Sequence, residues 1–268
     1  MITALPDSTV VVVAVDSCLR VSVFSNSPFM NSNQAEKLQA LIHYTASDDF
    51  RANLRAMVQE FGKHCAFSTS FSPEDQLITH WIFSLDLPVR VFTLDTGRLF
   101  PETYNVWSRT VEKYQKPIQA FYPEAADVAD FVTRTGPNSF YASVENRKTC
   151  CHIRKVAPLK KALHGAELWI TGIRASQSSN RQDMSAMEWD ESNGLFKFHP
   201  LFHADEAWVR AEIQRLAIPY NVLFDRGFPS VGCSPCTRAV QPGEDSRAGR
   251  WWWESPNSKE CGLHEKRH

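Results

Sequence analysis

The sequence lacks an excess of either charge. Its 268 residues carry 29 Lys and Arg against 30 Asp and Glu, a formal net charge of -1. A chain so balanced has no global field to gather nucleic acid or an anionic membrane surface, although it can still hide a local basic cleft. It also lacks any run near the roughly 20 apolar residues that span a bilayer. The apolar stretch from Thr9 to Val15 is short, has no Lys or Arg before it and is followed by Asp16, which makes a poor secretory signal. No nucleic acid and no membrane is expected as a partner, and the expected compartment is the cytoplasm. The glycine fingerprint of a dinucleotide fold and the lysine of a Walker loop are missing. There is no internal repeat and no clean linker. Residues 1–29 read as an extension outside the folded domain, with Met30 opening a more conventional segment.

What is present is ordinary globular material, 43% hydrophobic and 22% charged, in strand–helix alternation. "HCAFSTSF", "VRVFTLD", "PIQAFYP" and "ELWITGI" read as strands. "SPEDQLITHWIFSL", "RLFPETYNVWSRTVEKY" and "EAADVADFVTRTG" read as the helices between them, the first with Ser72 as N-cap and Pro73 at its first position. Short connections in such an alternation predict a parallel sheet covered by helices on both faces, an α/β fold. "TCCHIRKVAPLKKALHG" is a helical candidate interrupted by Pro158. "RASQSSNRQDMSAMEWDESNG" reads as a long polar loop, and "DEAWVRAEIQRLAI" as an amphipathic helix. From Pro219 onward periodicity is lost. One catalytic domain over residues 30–254 is expected, followed by a mobile tail over residues 255–268.

Three constellations carry chemistry. Ser68 to Asp75 form a small-residue turn between a strand and a helix, where unpaired N–H groups and the positive dipole end suit a phosphate. The tandem Cys150 and Cys151, with Cys233 and Cys236 of "CSPC", gather four thiols. Adjacent cysteines serve one small tetrahedral ion poorly, whereas an iron–sulfur cluster offers each thiolate its own iron. The third set is "RAGRWWWE" with "KECGLH". Arg247 and Arg250 offer forked donors for phosphate or sulfate. Cys261 has no metal partner nearby in sequence, and a thiol on a tail beside an anion-binding cleft is placed to ionise and react.

Together these motifs, with "LDTGRLFPETY" and "TGIRASQSSNR", resemble the assimilatory sulfonucleotide reductases, specifically the iron–sulfur adenylyl-sulfate (APS) reductases. The resemblance runs from about Cys65 to His264. It implies an adenine-nucleotide hydrolase-like (Rossmann-like) fold with a modified pyrophosphate loop at Ser68, Thr69, Ser70 and Ser72, the last standing where family members commonly carry glycine. It implies nucleotide contacts at Leu94, Asp95, Thr96 and Gly97 and at Thr171 and Gly172. Lys155, Arg181, Arg247 and Arg250 match the basic residues around phosphate and sulfate, and His264 joins the substrate-binding set. Cys150, Cys151, Cys233 and Cys236 match the ligands of a [4Fe–4S] cofactor, and Cys261 matches the nucleophile. The implied reaction turns APS into sulfite and AMP through an S-sulfocysteine on Cys261, with thioredoxin as the reducing partner. The sequence leaves homo-oligomerisation open, and it leaves open the 3′-phosphorylated nucleotide PAPS as a rival substrate. An ATP-using enzyme of the same fold is a more distant alternative.

Overall fold

In the computed structural model, residues 30–45, 47–177, 184–255 and Leu263 are described. Six strands form one sheet in the order β3-β2-β1-β4-β6-β5. They are β1 (Cys65–Ser68), β2 (Val89–Leu94), β3 (Gln119–Phe121), β4 (Leu168–Ile170), β5 (Met187–Asp190) and β6 (Leu195–Phe198). All neighbours are parallel except the β5–β6 hairpin at one edge. The helices are α1 (Ser32–Ile42), α2 (Phe50–Phe61), α3 (Pro73–Ser84), α4 (Pro101–Tyr114), α5 (Ala125–Thr135), α6 (Val144–Cys151), α7 (Ala157–Ala162) and α8 (Glu206–Arg215).

Alternation along each strand sorts side chains onto two faces. Cys65, Phe67, Val91, Leu168 and Ile170 join the larger core with Leu38, Leu54, Leu77 and Val209 from α1, α2, α3 and α8. Ala66, Phe92 and Trp169, the residues between them, meet Leu159 and Ala162 of α7 on the other face. Truncating a fully buried ring such as Phe67 to alanine costs about 3–5 kcal/mol at such positions. Helix α3 is wedged in the larger core and buries nearly its whole length, from Pro73 to Phe83.

The sheet matches the expected α/β class, and two local expectations are corrected. Met187–Asp190 form an antiparallel edge strand inside the stretch read as a polar loop; its partner β6 and a turn with Gly194 at φ 66 complete a hairpin that the polar composition hides. Pro158 does not interrupt the helix around it. Residues 144–162 stay helical, and the wide π turn His152–Val156 absorbs the missing N–H and the crowding of the proline ring. That same turn carries Arg154 and Lys155.

Strand order reverses at β1. The chain steps outward through β2 and β3 and then returns to lay β4 on the other side of β1. In open α/β sheets such a switch point opens a crevice beyond the carboxyl ends of the two strands.

Candidate active site

A cavity of about 330 Å³ lies at that switch point. Ser68 at the end of β1 with the loop after it (Thr69, Ser70, Ser72), and Thr171 and Gly172 just after β4, form two of its walls, with Leu94 at the end of β2 and Thr96 beyond it. Lys155 from the π turn and Arg247 and Arg250 from the C-terminal region bring cations to it. These residues are remote in sequence, and the fold collects them.

The loop after β1 is held from within. Asp75 accepts from the Ser70 backbone N–H at 2.7 Å and from the Ser70 hydroxyl at 2.6 Å. Phe71, at φ 62, donates its N–H to Thr69 Oγ1 at 3.1 Å. Ser72 caps α3 by accepting from Asp75 N–H. The expectation of a loop full of unpaired amides is thereby narrowed: among the described residues, the amides left for an anion are those of Ser72 and Glu74. Burial pushes the Asp75 carboxyl up to about 6, against the lowering effect of the Ser70 hydrogen bonds. Gly172 makes this packing possible, because a Cβ there would lie 2.1 Å from Asp75 Oδ1.

Sequence reasoning missed the acids beside this loop. Glu74 is buried and binds Arg174 Nε at 2.7 Å, and Arg174 also reaches Glu206 at 3.1 Å. Both Glu74 and Arg174 line the cavity, yet the arginine is engaged with carboxylates. The signal was in "SPED", where two acids open a helix, but their partner lies 100 residues away.

Asp95 and Gly97 do not line the cavity. Asp95 is buried and accepts from the Gly97 N–H and from the Tyr104 hydroxyl, each at 2.8 Å, so the pair shapes the "LDTG" turn. Gly97 sits at φ 69. Thr96 in the same turn faces the cavity, takes the Cys233 thiol on its hydroxyl at 3.3 Å and takes Arg154 on its carbonyl at 2.6 Å.

Beyond Thr96 lies a second, small cavity of about 20 Å³ lined by Cys150, Cys151, Cys233 and Cys236. Arg98, Arg147, Arg154 and Lys155 surround it, so Lys155 borders both cavities. Burial pushes the Cys236 thiol up to about 12 and raises Cys150. Burial raises Cys233 too, but Lys155, the Thr96 hydroxyl, Arg250 and Arg154 together more than offset it, and this thiol ends below its ordinary value. Among the described residues, no three His, Cys, Asp or Glu side chains are gathered as a single-ion site. Two buried indole donors, Trp251 Nε1 and Trp253 Nε1, have no hydrogen-bond partner, and both rings pack against these cysteines. Four thiols, a ring of cations and orphaned N–H donors fit an anionic, acceptor-rich sulfur group.

Arg181, Cys261 and His264 lie outside the described residues. Leu263, between the last two, is described: it is half-buried, lines the large cavity and packs on the core beneath β1, β2 and β4. None of the described helices is long and apolar enough to cross a membrane.

Residues 64–239 match the phosphoadenosine phosphosulfate reductase domain. The chain belongs to that family. It is accordingly an enzyme, an oxidoreductase. It is 48% identical over 211 residues to the adenosine 5′-phosphosulfate reductase of Burkholderia cepacia, covering 79% of this chain and 84% of that one. The protein of the same name from Allochromatium vinosum is 48% identical over 200 residues, 75% of this chain and 78% of the relative. A crystal structure of phosphoadenylyl-sulfate (PAPS) reductase from Candida auris, a phosphate complex, aligns with a TM-score of 0.66 at 26% identity, over 79% of this chain and 98% of that one.

Proposed function

We infer that this family member reduces adenylyl sulfate to sulfite and AMP, with a thioredoxin-like dithiol protein as electron donor. The observation that carries the reading is the pair of cavities that share Lys155 in their walls: a hydroxyl- and arginine-lined cleft at the switch point, backed by four thiols, three of them buried and Cys150 half-buried. The choice of APS is supported by relatives of that name at 48% identity.

The base and ribose of the nucleotide lie along the strand ends at Leu94, Thr96, Thr171 and Gly172. The phosphosulfate reaches the Ser68–Ser72 loop and is gripped by Lys155, Arg247 and Arg250, with Arg181 and His264 completing the set. The Cys261 thiolate attacks the sulfur of the sulfate. The S–O bond to AMP breaks, the electron pair leaves with AMP, and Cys261 carries an S-sulfonate. The leaving phosphate is stabilised by the same cations that bound it. A thiolate of the donor protein then attacks Cys261 Sγ and sulfite departs. The donor's second thiol resolves the mixed disulfide, so two electrons from one dithiol balance the reduction. Cys65 is no candidate for an internal second thiol, since burial pushes it up to about 12.

Cys150, Cys151, Cys233 and Cys236 would hold a [4Fe–4S] cluster, which asks for one thiolate per iron around a cavity and not for ligands converging on a point. When bound, it would supply structure and a fixed charge beside Lys155.

Turnover of APS by anaerobically purified protein with thioredoxin tests the reading, with AMP and sulfite as products. Release of pyrophosphate from ATP would replace it with a nucleotide-activating activity. A kcat/KM for PAPS equal to or above that for APS would move the substrate to the 3′-phosphorylated form, the one named in the Candida auris structure.

A further inference from the structure

The loop that carries Cys233 and Cys236 also supports the cleft's arginine. Arg238 donates its N–H to the Gly249 carbonyl at 3.0 Å, and Trp251 donates its own to the Cys236 carbonyl at 3.1 Å. Between these bonds Thr237 and Arg250 form an isolated antiparallel bridge. Arg250 is therefore anchored by backbone to the cysteine loop, and only its side chain decides where the charge goes.

That side chain rests on Gly232. A Cβ at Gly232 would lie 2.3 Å from Arg250 Nη2, 2.6 Å from Cζ and 2.9 Å from Nη1, so it would fall on the guanidinium itself. Gly232 has no positive φ that would demand glycine; the requirement is for space. The Trp251 ring centroid stands 4.6 Å from the same Cζ, and Ser230 Oγ accepts from Nη1 at 3.4 Å. Backbone, ring and hydroxyl hold the guanidinium at the wall of the large cavity that Gly232 and Ser230 also line.

We propose that Gly232 is a positioning residue for substrate binding: its missing side chain is the space that holds the Arg250 guanidinium in the cleft. The proposal rests on the reading of Arg250 as a ligand of the phosphosulfate. It predicts that a methyl group at 232 displaces the charge while sparing the fold, because the atoms it meets are the far end of a flexible side chain.

The test measures APS affinity in full-length Cys261→Ser protein, which cannot turn the nucleotide over. Gly232→Ala should weaken binding by about tenfold or more, the scale of a displaced charge-assisted hydrogen bond. Arg250→Ala should weaken it at least as much, and the double variant no more than Arg250→Ala alone. Full affinity in Gly232→Ala, or additive losses in the double variant, would overturn the proposal. Unchanged affinity in Arg250→Ala would overturn it by removing its premise, and would mark the ligand assignment as the error. If Gly232→Ala lowers the melting temperature, adding Arg250→Ala should restore it, since the clashing group is gone. A double variant as unstable as Gly232→Ala places the clash elsewhere and refutes the idea.

Discussion

The sheet half of the chain and its C-terminal region are held together by different means. From Cys65 to Ile170, strands alternate with helices, and each apolar residue has a face assigned by a period of two or of 3.6. From Pro219 to Ser255 the described structure has only 3₁₀ turns and one isolated bridge. Order there comes from particular contacts: Arg147 on Glu254 at 2.8 Å with both side chains buried, Arg147 and Arg250 over the Trp251 ring, and the thiols around their cavity. The first region spreads its order over two cores of many apolar residues. The second depends on a few, and it is the one that brings Arg247 and Arg250 to the cleft.

The strongest way to separate chemistry from both regions is Cys261→Ser. Sulfite formation should fall by roughly 10³-fold or more, the scale of losing a nucleophile, while APS affinity and the fold stay as they are. Incubating wild-type protein with APS and no reductant should place one sulfonate on the peptide containing Cys261, read by mass spectrometry. An adduct on another cysteine would reassign the nucleophile.

Next in size is the loss of one thiol, Cys151→Ala or Cys236→Ala. Iron should be lost, and the region from Pro219 to Ser255 should lose local stability on the order of 5 kcal/mol, because metal-binding energy is folding energy for such segments. Hydrogen exchange should show its amides deprotected while β1, β2 and β4 remain slow. Uniform protection across both regions would mean the thiols are not what orders the C-terminal one.

How much of this was legible follows the same division. Helix α3 could be read from Ser72, Pro73 and two acids in its first turn, all confirmed as cap, first position and first-turn residues. Strands β1, β2 and β4 were legible because a buried parallel strand is a short apolar run. The β5 strand "MEWD" was not, because its Glu188 and Asp190 look solvent-facing, whereas Lys197, buried on β6, stands 3.5 and 3.6 Å from them and buried His199 also stands 3.5 Å from Glu188. The four thiols could be grouped from spacing alone. Their nearness to the anion site could be inferred too, from Lys155 following Cys150 and Cys151 closely in sequence; the π turn that lets Lys155 line both cavities could not. The side chain of Asp95 was not legible either: an acid in a strand-end turn serves a ligand or the turn itself, and here it accepts from Gly97 and Tyr104.

A break in the ion pair that ties the start of α3 to the chain beyond β4 is expected to be smaller and is read on stability. Arg174→Met removes the partner of Glu74, whose side chain is only 7% exposed. An uncompensated buried carboxylate costs about 3–5 kcal/mol. The melting temperature should drop, and Glu74→Gln in the same background should recover part of the loss. No recovery would mean that the arginine is held for its packing and not for its charge.

The smallest effect expected is a pH dependence set by Asp75. Burial raises its carboxyl from an ordinary 3.8 to about 6 in the folded protein. Between those values the folded state holds a proton that the unfolded state has released, so stability falls as pH rises through that window. A shift of this size corresponds to about 3 kcal/mol once pH exceeds 6. Asp75→Asn keeps an oxygen to accept from the Ser70 N–H and hydroxyl and has no charge to bury. The difference in unfolding free energy, variant minus wild type, should therefore rise by about that amount between pH 3.5 and 7 in urea titrations. Other carboxylates cancel in this difference, since both proteins share them. A flat difference would show Asp75 titrating like a surface acid, and a difference of opposite sign would show that its charge stabilises the loop. If the rise is seen, the loop after β1 carries a buried charge at a stability cost, and its reason must then be sought in the cleft it lines and not in the fold.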